Sequence, residues 1–473
     1  MIAFAQAGSD KHLLDSRLMS VVVLTALVLA TALSAGLVVL SPVLVVVPLL
    51  PLGMIACATS PTMRLAFVVF GGLFTLGSST GLSVPKILYL GVCAACVGIS
   101  IVNSVNGERS TLRWSFHDLF RSSALWFILI IISLPVGLQF GVSPADWMRG
   151  VIPYALFAVV PFVAFDVAAK PTEHDIIRLV SIIFVISCLL TSLSWFVSWT
   201  TRRGYAEVDS KSVVLWSFVQ GLALFSYAVA RARYAKAFRI PWLILAALVF
   251  ALFFLTGTRQ TLLFLLPAMV QLFNRELLDV RKISKGLLHV APVILIGLFV
   301  GSFIMSSAGI DRETVVGRFD GLTQITNDRE EGRSYQERVV QTSLTADEFQ
   351  RSPILGVSPG HIYTWKTEFG QVKTAFNVDS PLALLAAFGI VGSVVTAFTL
   401  RSIFLVCRRL EEIADKPMPE LDAIRSLTIT MIVYFLAGSP FEDKGLSFSF
   451  MALLAIGAIR ASSLARSRTS ATA

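Results

Sequence analysis

Charged residues are scarce in this sequence. Aspartate, glutamate, lysine and arginine make up only 15% of the 473 residues, whereas hydrophobic residues make up 55%. The mean hydropathy is +0.76, and the apolar residues form long blocks between short charged connectors. This composition is typical of a polytopic membrane protein. The formal net charge of +9 is explained by loop topology, so it gives little support to nucleic acid binding.

Several common functional signatures are also missing. The chain has no P-loop, no dinucleotide-binding fingerprint, no internal repeat and no low-complexity tract. None of the five cysteines lies in the one long polar segment, so a disulfide framework is not indicated. The C-A-A-C stretch, Cys93 to Cys96, would suit a redox or metal pair, but we interpret it as helix packing. We therefore expect neither a metal ion nor another cofactor.

The apolar blocks predict an all-α polytopic integral membrane protein with about 12–14 transmembrane helices, because a span needs about 20 apolar residues. The candidate segments lie near residues 18–38, 42–58, 62–77, 86–102, 121–139, 149–169, 176–199, 212–230, 240–256, 260–273, 287–304, 379–400, 424–441 and 445–461. Three regions follow. Residues 1–304 form an N-terminal transmembrane bundle, 305–378 a large periplasmic loop containing short helices, and 379–473 the C-terminal transmembrane helices with a cytoplasmic tail.

The placement of lysine and arginine predicts which side each loop faces, because cytoplasmic loops carry excess positive charge. If the amino terminus is inside and every segment crosses, the inside loops collect 24 of the 39 basic residues. The short outside loops then hold few basic residues, and the long segment is external. Both termini are therefore predicted to be cytoplasmic.

One arginine interrupts apolar sequence in F-L-T-G-T-R-Q-T-L-L-F, Phe254 to Phe264. By the topology above, Arg259 lies at the outer end of a span, where a charge is costly and marks a functional candidate. It either snorkels to lipid headgroups or binds an anion. Gly257 permits a sharp turn and Thr258 can cap a helix end, which favours an anion site. A diphosphate fits, because a guanidinium donates two parallel hydrogen bonds to phosphate oxygens.

A second outer cluster lies in W-T-T-R-R-G-Y, Trp199 to Tyr205. Taken alone, Arg202 and Arg203 would be solvated loop charges. Because the outer loops are otherwise poor in basic residues, we group both with Arg259 as candidate diphosphate ligands. Arg149, at the start of another span, is a weaker candidate.

The long polar segment contains one recognisable helix. Apolar residues in Arg338 to Gln350 recur at helical spacing, which predicts an amphipathic helix. The stretch S-P-I-L-G-V-S-P-G, Ser352 to Gly360, ends it with turn residues. The segment is too small for a confident independent domain, so we expect it to pack onto the membrane bundle.

Four features together resemble the bacterial O-antigen ligase and O-antigen polymerase superfamily. They are the G-T-R-Q stretch at Gly257 to Gln260, the loop pattern of Glu337 to Gly360, the S-P-L-A-L-L-A-A-F-G-I-V-G helix of Ser380 to Gly392, and one large outer loop before the final spans. The resemblance covers mainly residues 240–400. Their order and spacing are more specific than any one of them.

The resemblance implies a metal-independent glycosyltransferase at the periplasmic face of the bacterial inner membrane. Its donor would be an undecaprenyl-diphosphate-linked glycan, and its acceptor another glycan or the lipid A core. Arginines at the matching positions, here Arg259, Arg202, Arg203 and Arg338, would bind the diphosphate. Membrane lipids are implied as partners, and the resemblance also admits a chain-length regulator.

The chain departs from the family at the expected His-Asn pair, because F-N-V-D-S-P, Phe376 to Pro381, contains no histidine. Two candidates for a general base remain. Asp379 lies near the expected position, whereas His361, the only external histidine in the predicted topology, has the better ordinary pKa. The alternatives are a helix N-cap for Asp379 and a structural loop histidine for His361. We favour Asp379; if neither acts, Asp347, Glu348 and Glu368 are the next candidates.

The missing histidine favours a polymerase of repeat units of a surface polysaccharide over a ligase, although sequence leaves both open. A flippase of lipid-linked oligosaccharides is the rival from another class. Two observations disfavour a flippase: the sequence has no pseudo-symmetric halves, and a large outer loop is unusual in an alternating-access transporter.

Overall fold

The computed structural model describes residues 60–76, 84–106, 111–169, 174–200, 218–234, 239–255, 264–269, 295–297, 299, 329–367, 370–374, 380–435 and 438–472. The helices in chain order are α1 (Pro61–Leu76), α2 (Val84–Asn106), α3 (Thr111–Gln139), α4 (Pro144–Ala169), α5 (His174–Thr200), α6 (Phe218–Tyr234), α7 (Arg239–Leu255), α8 (Arg329–Arg351), α9 (Ala383–Ala414), α10 (Pro419–Tyr434) and α11 (Lys444–Thr472). Two strands, β1 (Tyr363–Thr367) and β2 (Gly370–Thr374), form an antiparallel hairpin, and a 3₁₀ turn covers Pro440–Glu442.

The predicted helical architecture is confirmed in its coarse form. Among the described residues, five helices are long and apolar enough to cross a membrane, namely Lys86–Asn106, Thr111–Gln139, Pro144–Ala169, Ala383–Ala414 and Lys444–Arg468. The helices α1, α5 and α7 also match predicted segments to within about two residues at each end. The segments near 18–38 and 42–58 lie outside the described residues. The total of 12–14 spans and the three-region division stay predictions.

Helix α4 lies at the centre of the bundle. It is apolar on all sides, and 89% of its most apolar window is buried, as expected for a helix enclosed by neighbours. It packs against α1, α2, α3 and α11. Its Tyr154 ring lies 4.8 Å from Phe388 of α9 and 5.6 Å from Trp126 of α3, centroid to centroid. This aromatic cluster joins the three helices that carry the site described below.

Ion pairs join the helix ends at one pole of the bundle. Arg409 of α9 contacts Asp118 of α3 at 2.8 Å. Three further pairs link α9, α10 and α11: Arg425 to Glu411 at 2.7 Å, Arg460 to Glu420 at 2.9 Å and Arg468 to Asp415 at 3.4 Å. We call this pole the arginine-rich end. Its arginines are all ones that the sequence assigned to inside loops, although their orientation relative to a membrane stays a prediction.

A buried ion pair joins α1 to α4 at the same pole. The Arg64 guanidinium donates to Asp166 from Nε at 3.0 Å and from its terminal nitrogen at 2.5 Å. The remaining acceptor capacity of the carboxylate is used by Ser100 Oγ and Asn103 Nδ2 of α2, each at 2.8 Å. Because each side chain is only 3% exposed, the hydrogen bonds are what makes these buried charges tolerable.

The long polar segment folds onto the opposite pole. The predicted helix over Arg338 to Gln350 is confirmed and is longer, covering Arg329–Arg351. The expectation of short helices was incomplete, because a hairpin follows, with Tyr363 opposite Thr374. Residues 352–362 lie against the ends of α3, α4 and α9 that face away from the arginine-rich end. We call this pole the turn end.

Candidate functional site

Helix α9 is broken at Gly389, nearly two turns after its start, and the predicted turn of residues 352–360 fills the break. Gly389 has φ 63° and ψ −162°, which no helical residue adopts. Val357 N donates to Ala386 O at 2.8 Å and Ser358 N to Ala387 O at 3.0 Å. In the other direction, α9 donates twice to the turn, from Ile390 N to Pro353 O at 2.9 Å and from Val391 N to Ile354 O at 3.2 Å. The exchange supplies backbone partners that the broken helix cannot supply itself, as a membrane-embedded or buried segment requires.

Two glycines make this junction possible. Gly389 and Gly356, which has φ 69°, both have backbone conformations that side chains disfavour. A Cβ on Gly389 would overlap the Ile354 carbonyl, and a Cβ on Gly356 would lie within 3.0 Å of the backbone of Ala387 and Phe388. The structure thus brings P-I-L-G, residues 353–356, into direct contact with G-I-V-G, residues 389–392. These are parts of two separate stretches that carry the family resemblance.

The far side of the turn is fixed by α3 and α4. Gly360 lies directly against the Asp146 backbone in the first turn of α4, and Gly150 lies against Gly360. Ser358 is 1% exposed and lies against Gly137 near the end of α3. The turn is therefore held by three helices at once, and His361, which follows it, leaves the bundle from a fixed position.

Helix α8 is fixed at the same place by one buried hydroxyl pair. Thr345 Oγ1 and Ser380 Oγ are 2.7 Å apart, and both side chains are fully buried. Ser380 Oγ also accepts a hydrogen bond from Leu382 N at 3.1 Å, so it helps to fix the turn that leads into α9. Asp379, the preferred base candidate, lies outside the described residues. Its alternative interpretation as a helix N-cap therefore also stays a prediction.

The second base candidate, His361, lies beside a carboxylate. Its Nε2 is 3.6 Å from Oε1 of Glu348, and Arg351 donates to the same oxygen at 2.8 Å. The imidazole is 17% exposed and meets the Tyr363 ring edge-on at 5.1 Å. Burial lowers the pKa of His361; Arg351 adds to this effect, and Glu348 opposes it. The imidazole is therefore neutral at neutral pH and able to accept a proton, and the carboxylate would stabilise the imidazolium that forms.

Among the predicted diphosphate ligands, one lies within the described residues. Arg338 is on α8, but ten residues before Glu348, which is about 15 Å along a helix. Arg259, Arg202 and Arg203 lie outside the described residues.

Two other arginines are present at the turn end. Arg149 donates to Asp146 at 3.1 Å in the turn of α4 that contacts Gly360, and Arg351 is 64% exposed beside Glu348. Among the described residues no hydrogen-bond partner is assigned to the buried Nε of Arg149. Sequence reasoning treated Arg149 as a weaker candidate and missed Arg351, although the three-residue spacing of Arg351 from Glu348 on a predicted helix was a usable signal.

Chemically, the turn end combines a neutral imidazole, a carboxylate beside it and two guanidinium groups at the edge of apolar helices. Such a set can take a proton from a hydroxyl group and attract an anion. Among the described residues no group of three potential metal ligands occurs. No model of a known protein family matches this chain, and no curated protein matches it.

Proposed function

We propose that the protein is a polytopic membrane glycosyltransferase that polymerises undecaprenyl-diphosphate-linked repeat units of a surface polysaccharide. The observation that supports this proposal best is the junction of residues 353–356 with residues 389–392. Two stretches that resemble the O-antigen ligase and polymerase superfamily are in contact in this fold. His361, a side chain able to act as a base, directly follows the same turn at Gly360. Because both stretches form the same junction, the resemblance involves residues that act together in the fold.

The proposed orientation puts the turn end at the periplasmic face. The arginine-rich end would then face the cytoplasm, in agreement with the excess of positive charge expected there. A polyprenyl diphosphate donor would place its diphosphate at the edge of the apolar helices, near the turn. In this proposal Arg259, Arg202 and Arg203 bind the diphosphate, and Arg149 and Arg351 add positive charge beside it.

In the proposed reaction, His361 accepts the proton of an acceptor hydroxyl while the hydroxyl oxygen attacks C1 of the donor sugar. The bond from C1 to the phosphate oxygen breaks, and undecaprenyl diphosphate leaves with the bonding electrons. Glu348 stabilises the positive charge that His361 gains, and the arginines stabilise the negative charge that the diphosphate gains. Asp379 remains the alternative base, and Ser380, the next residue in sequence, is fixed to α8 one helical turn from Glu348.

The test is reconstitution of the purified protein with a lipid-linked repeat unit, followed by separation of the glycans on a gel. A polymerase gives a ladder, a ligase gives single transfer to added lipid A core, and a flippase moves the substrate without forming a bond. We expect a ladder. We expect Arg259→Ala to abolish it and Arg259→Lys to restore little, because an ammonium lacks the paired donors of a guanidinium.

The base is tested in the same assay. His361→Gln should reduce the rate about 10²- to 10⁴-fold if His361 is the base, whereas Asp379→Asn should have that effect if the sequence-based preference is right. Arg408→Gln is the matched control, since Arg408 is exposed at the opposite pole. Transport of the intact substrate with no new glycosidic bond would refute the proposed function.

A further inference from the structure

Two arginines on the outer surface of the bundle differ from their neighbours. Arg121 of α3 and Arg401 of α9 are both exposed. Nearby, Arg409 is paired with Asp118 at 2.8 Å and Arg408 with Glu412 at 2.9 Å. No ion pair is assigned to Arg121 or Arg401 within the part of the chain that the structure describes. On this part of the surface, therefore, no described carboxylate forms an ion pair with either of the two guanidinium groups.

The two arginines lie at nearly the same height along the seam between α3 and α9. These helices are antiparallel, and Trp126 Nε1 donates to Thr399 Oγ1 at 3.0 Å while Ser122 bonds the same hydroxyl. Arg121 precedes Ser122 by one residue and Arg401 follows Thr399 by two. Both steps lead toward the arginine-rich end, so the two Cα atoms differ in height by roughly 1.5 Å.

They also lie on the same side of the seam. Trp114, Asp118 and Arg121 follow one another on α3 at spacings of four and three, so they share one helix face. That face meets α9 at Arg409, whose guanidinium lies 4.2 Å from the Trp114 ring centroid. Arg401 and Arg408 are seven residues apart and share the exposed face of α9 beside Arg409. The two exposed faces therefore adjoin along the seam.

Apolar side chains continue the same surface toward the turn end. On α3, Leu125 and Ile128 follow Arg121 at spacings of four and seven and are 39% and 52% exposed. On α9, Val394 precedes Arg401 by seven and is 62% exposed. In the other direction the surface ends at Trp114, which is 58% exposed. Along the seam the order is apolar strip, arginine pair, then tryptophan, so the pair lies at the edge of the apolar strip, where hydrocarbon meets headgroups in a bilayer.

We infer that Arg121 and Arg401 bind the phosphate of an anionic glycerophospholipid, whose acyl chains lie on the strip formed by Leu125, Ile128 and Val394. The charge of the pair selects an anionic headgroup, and the strip selects a lipid rather than a free anion. Two guanidinium groups at one height can donate several hydrogen bonds to one phosphate group. The site is separate from the proposed catalytic turn end, so it does not depend on the proposed reaction; it rests only on the membrane location that the proposed function includes.

The test measures lipid binding to the full-length protein in detergent by native mass spectrometry. The probes are phosphatidylglycerol and phosphatidylcholine with identical acyl chains. The wild type should bind phosphatidylglycerol roughly tenfold more tightly, which corresponds to two partly exposed charge pairs. The double variant Arg121→Gln/Arg401→Gln should lose this preference. Arg408→Gln/Arg466→Gln removes the same charge from exposed positions nearer the arginine-rich end, with Arg408 about 10 Å along α9 from Arg401, and should keep the preference.

Three results would overturn the inference: equal binding of the two lipids to the wild type, an equal loss of preference in the control variant, or displacement of phosphatidylglycerol by millimolar inorganic phosphate. If the double variant does not fold, each single variant is measured instead. Arg121→Gln and Arg401→Gln should each weaken phosphatidylglycerol binding roughly threefold. An unchanged affinity in both single variants would exclude the site.

Discussion

Replacing Gly389 by alanine tests the junction between α9 and the turn most directly. The glycine has φ 63° and ψ −162°, a region that is essentially restricted to glycine and costs another residue about 1–3 kcal/mol. The new Cβ would also overlap the Ile354 carbonyl, and relief of such an overlap by backbone movement costs about 1–3 kcal/mol. Together these terms predict that the free energy of unfolding falls by about 2–5 kcal/mol. The sum is less than fully additive because one backbone shift partly relieves both penalties.

Gly91→Ala is the matched control, since Gly91 is in α2 and its added Cβ would meet nothing within 4 Å. It should leave stability unchanged or slightly raised, because alanine is the better helix former. Thermal unfolding of the purified proteins in detergent measures the difference. Hydrogen exchange at the amides of Val357, Ser358, Ile390 and Val391 should accelerate only in Gly389→Ala. Equal unfolding midpoints for the two variants, with unchanged exchange at these amides, would refute the junction.

Three further predictions concern the other pole, the histidine and the topology. Asp166→Leu should lower the free energy of unfolding, measured with denaturant, by about 3–5 kcal/mol because it leaves Arg64 charged and buried. Glu412→Gln, which removes an exposed ion pair with Arg408, should lower it by at most about 1 kcal/mol. Similar losses in the two variants would contradict the burial argument. Glu348 raises the pKa of His361 and Arg351 lowers it. The acid limb of the pH–rate profile should therefore move to lower pH in Glu348→Gln and to higher pH in Arg351→Gln. Shifts in the reverse directions would exclude His361 as the titrating base. An impermeant maleimide added to spheroplasts should label Ser334→Cys but not Glu412→Cys, and labelling of Glu412→Cys would reverse the proposed orientation.

Hydropathy and helical spacing predicted the helices well because both properties are local. The helix over Arg338 to Gln350 needed only its own apolar residues to be recognised. The hairpin at Tyr363 to Thr374 was missed because each strand is five residues long, too short for alternation to stand out. The break in α9 was missed for another reason. The sequence remains apolar through Gly389, so hydropathy predicts a continuous span. The turn of residues 352–360, which supplies the backbone partners at the break, lies in a different segment.

Pairings between distant residues were equally hidden. Asp166 lies inside a predicted span, and its partner Arg64 is 102 residues away, so no local pattern connects them. The same holds for the candidate site. His361 was identified by elimination, and Glu348 was only a reserve candidate, because their proximity depends on how the turn of residues 352–360 packs on α9 and α4. The sequence identified candidate site residues, whereas the tertiary contacts determine which of these residues lie close together.

The junction has a consequence for how the proposed base would work. A histidine on a free loop would have to be ordered each time substrate binds, and that ordering costs free energy. Here the turn before His361 exchanges four backbone hydrogen bonds with α9 and packs on α3 and α4. The turn is therefore ordered when the protein folds, and substrate binding need not order it. The position of the imidazole relative to the apolar helices is therefore set by backbone contacts rather than by its own side-chain partners. It follows that Gly389→Ala, although far from His361 in sequence, should lower turnover more than it lowers donor binding.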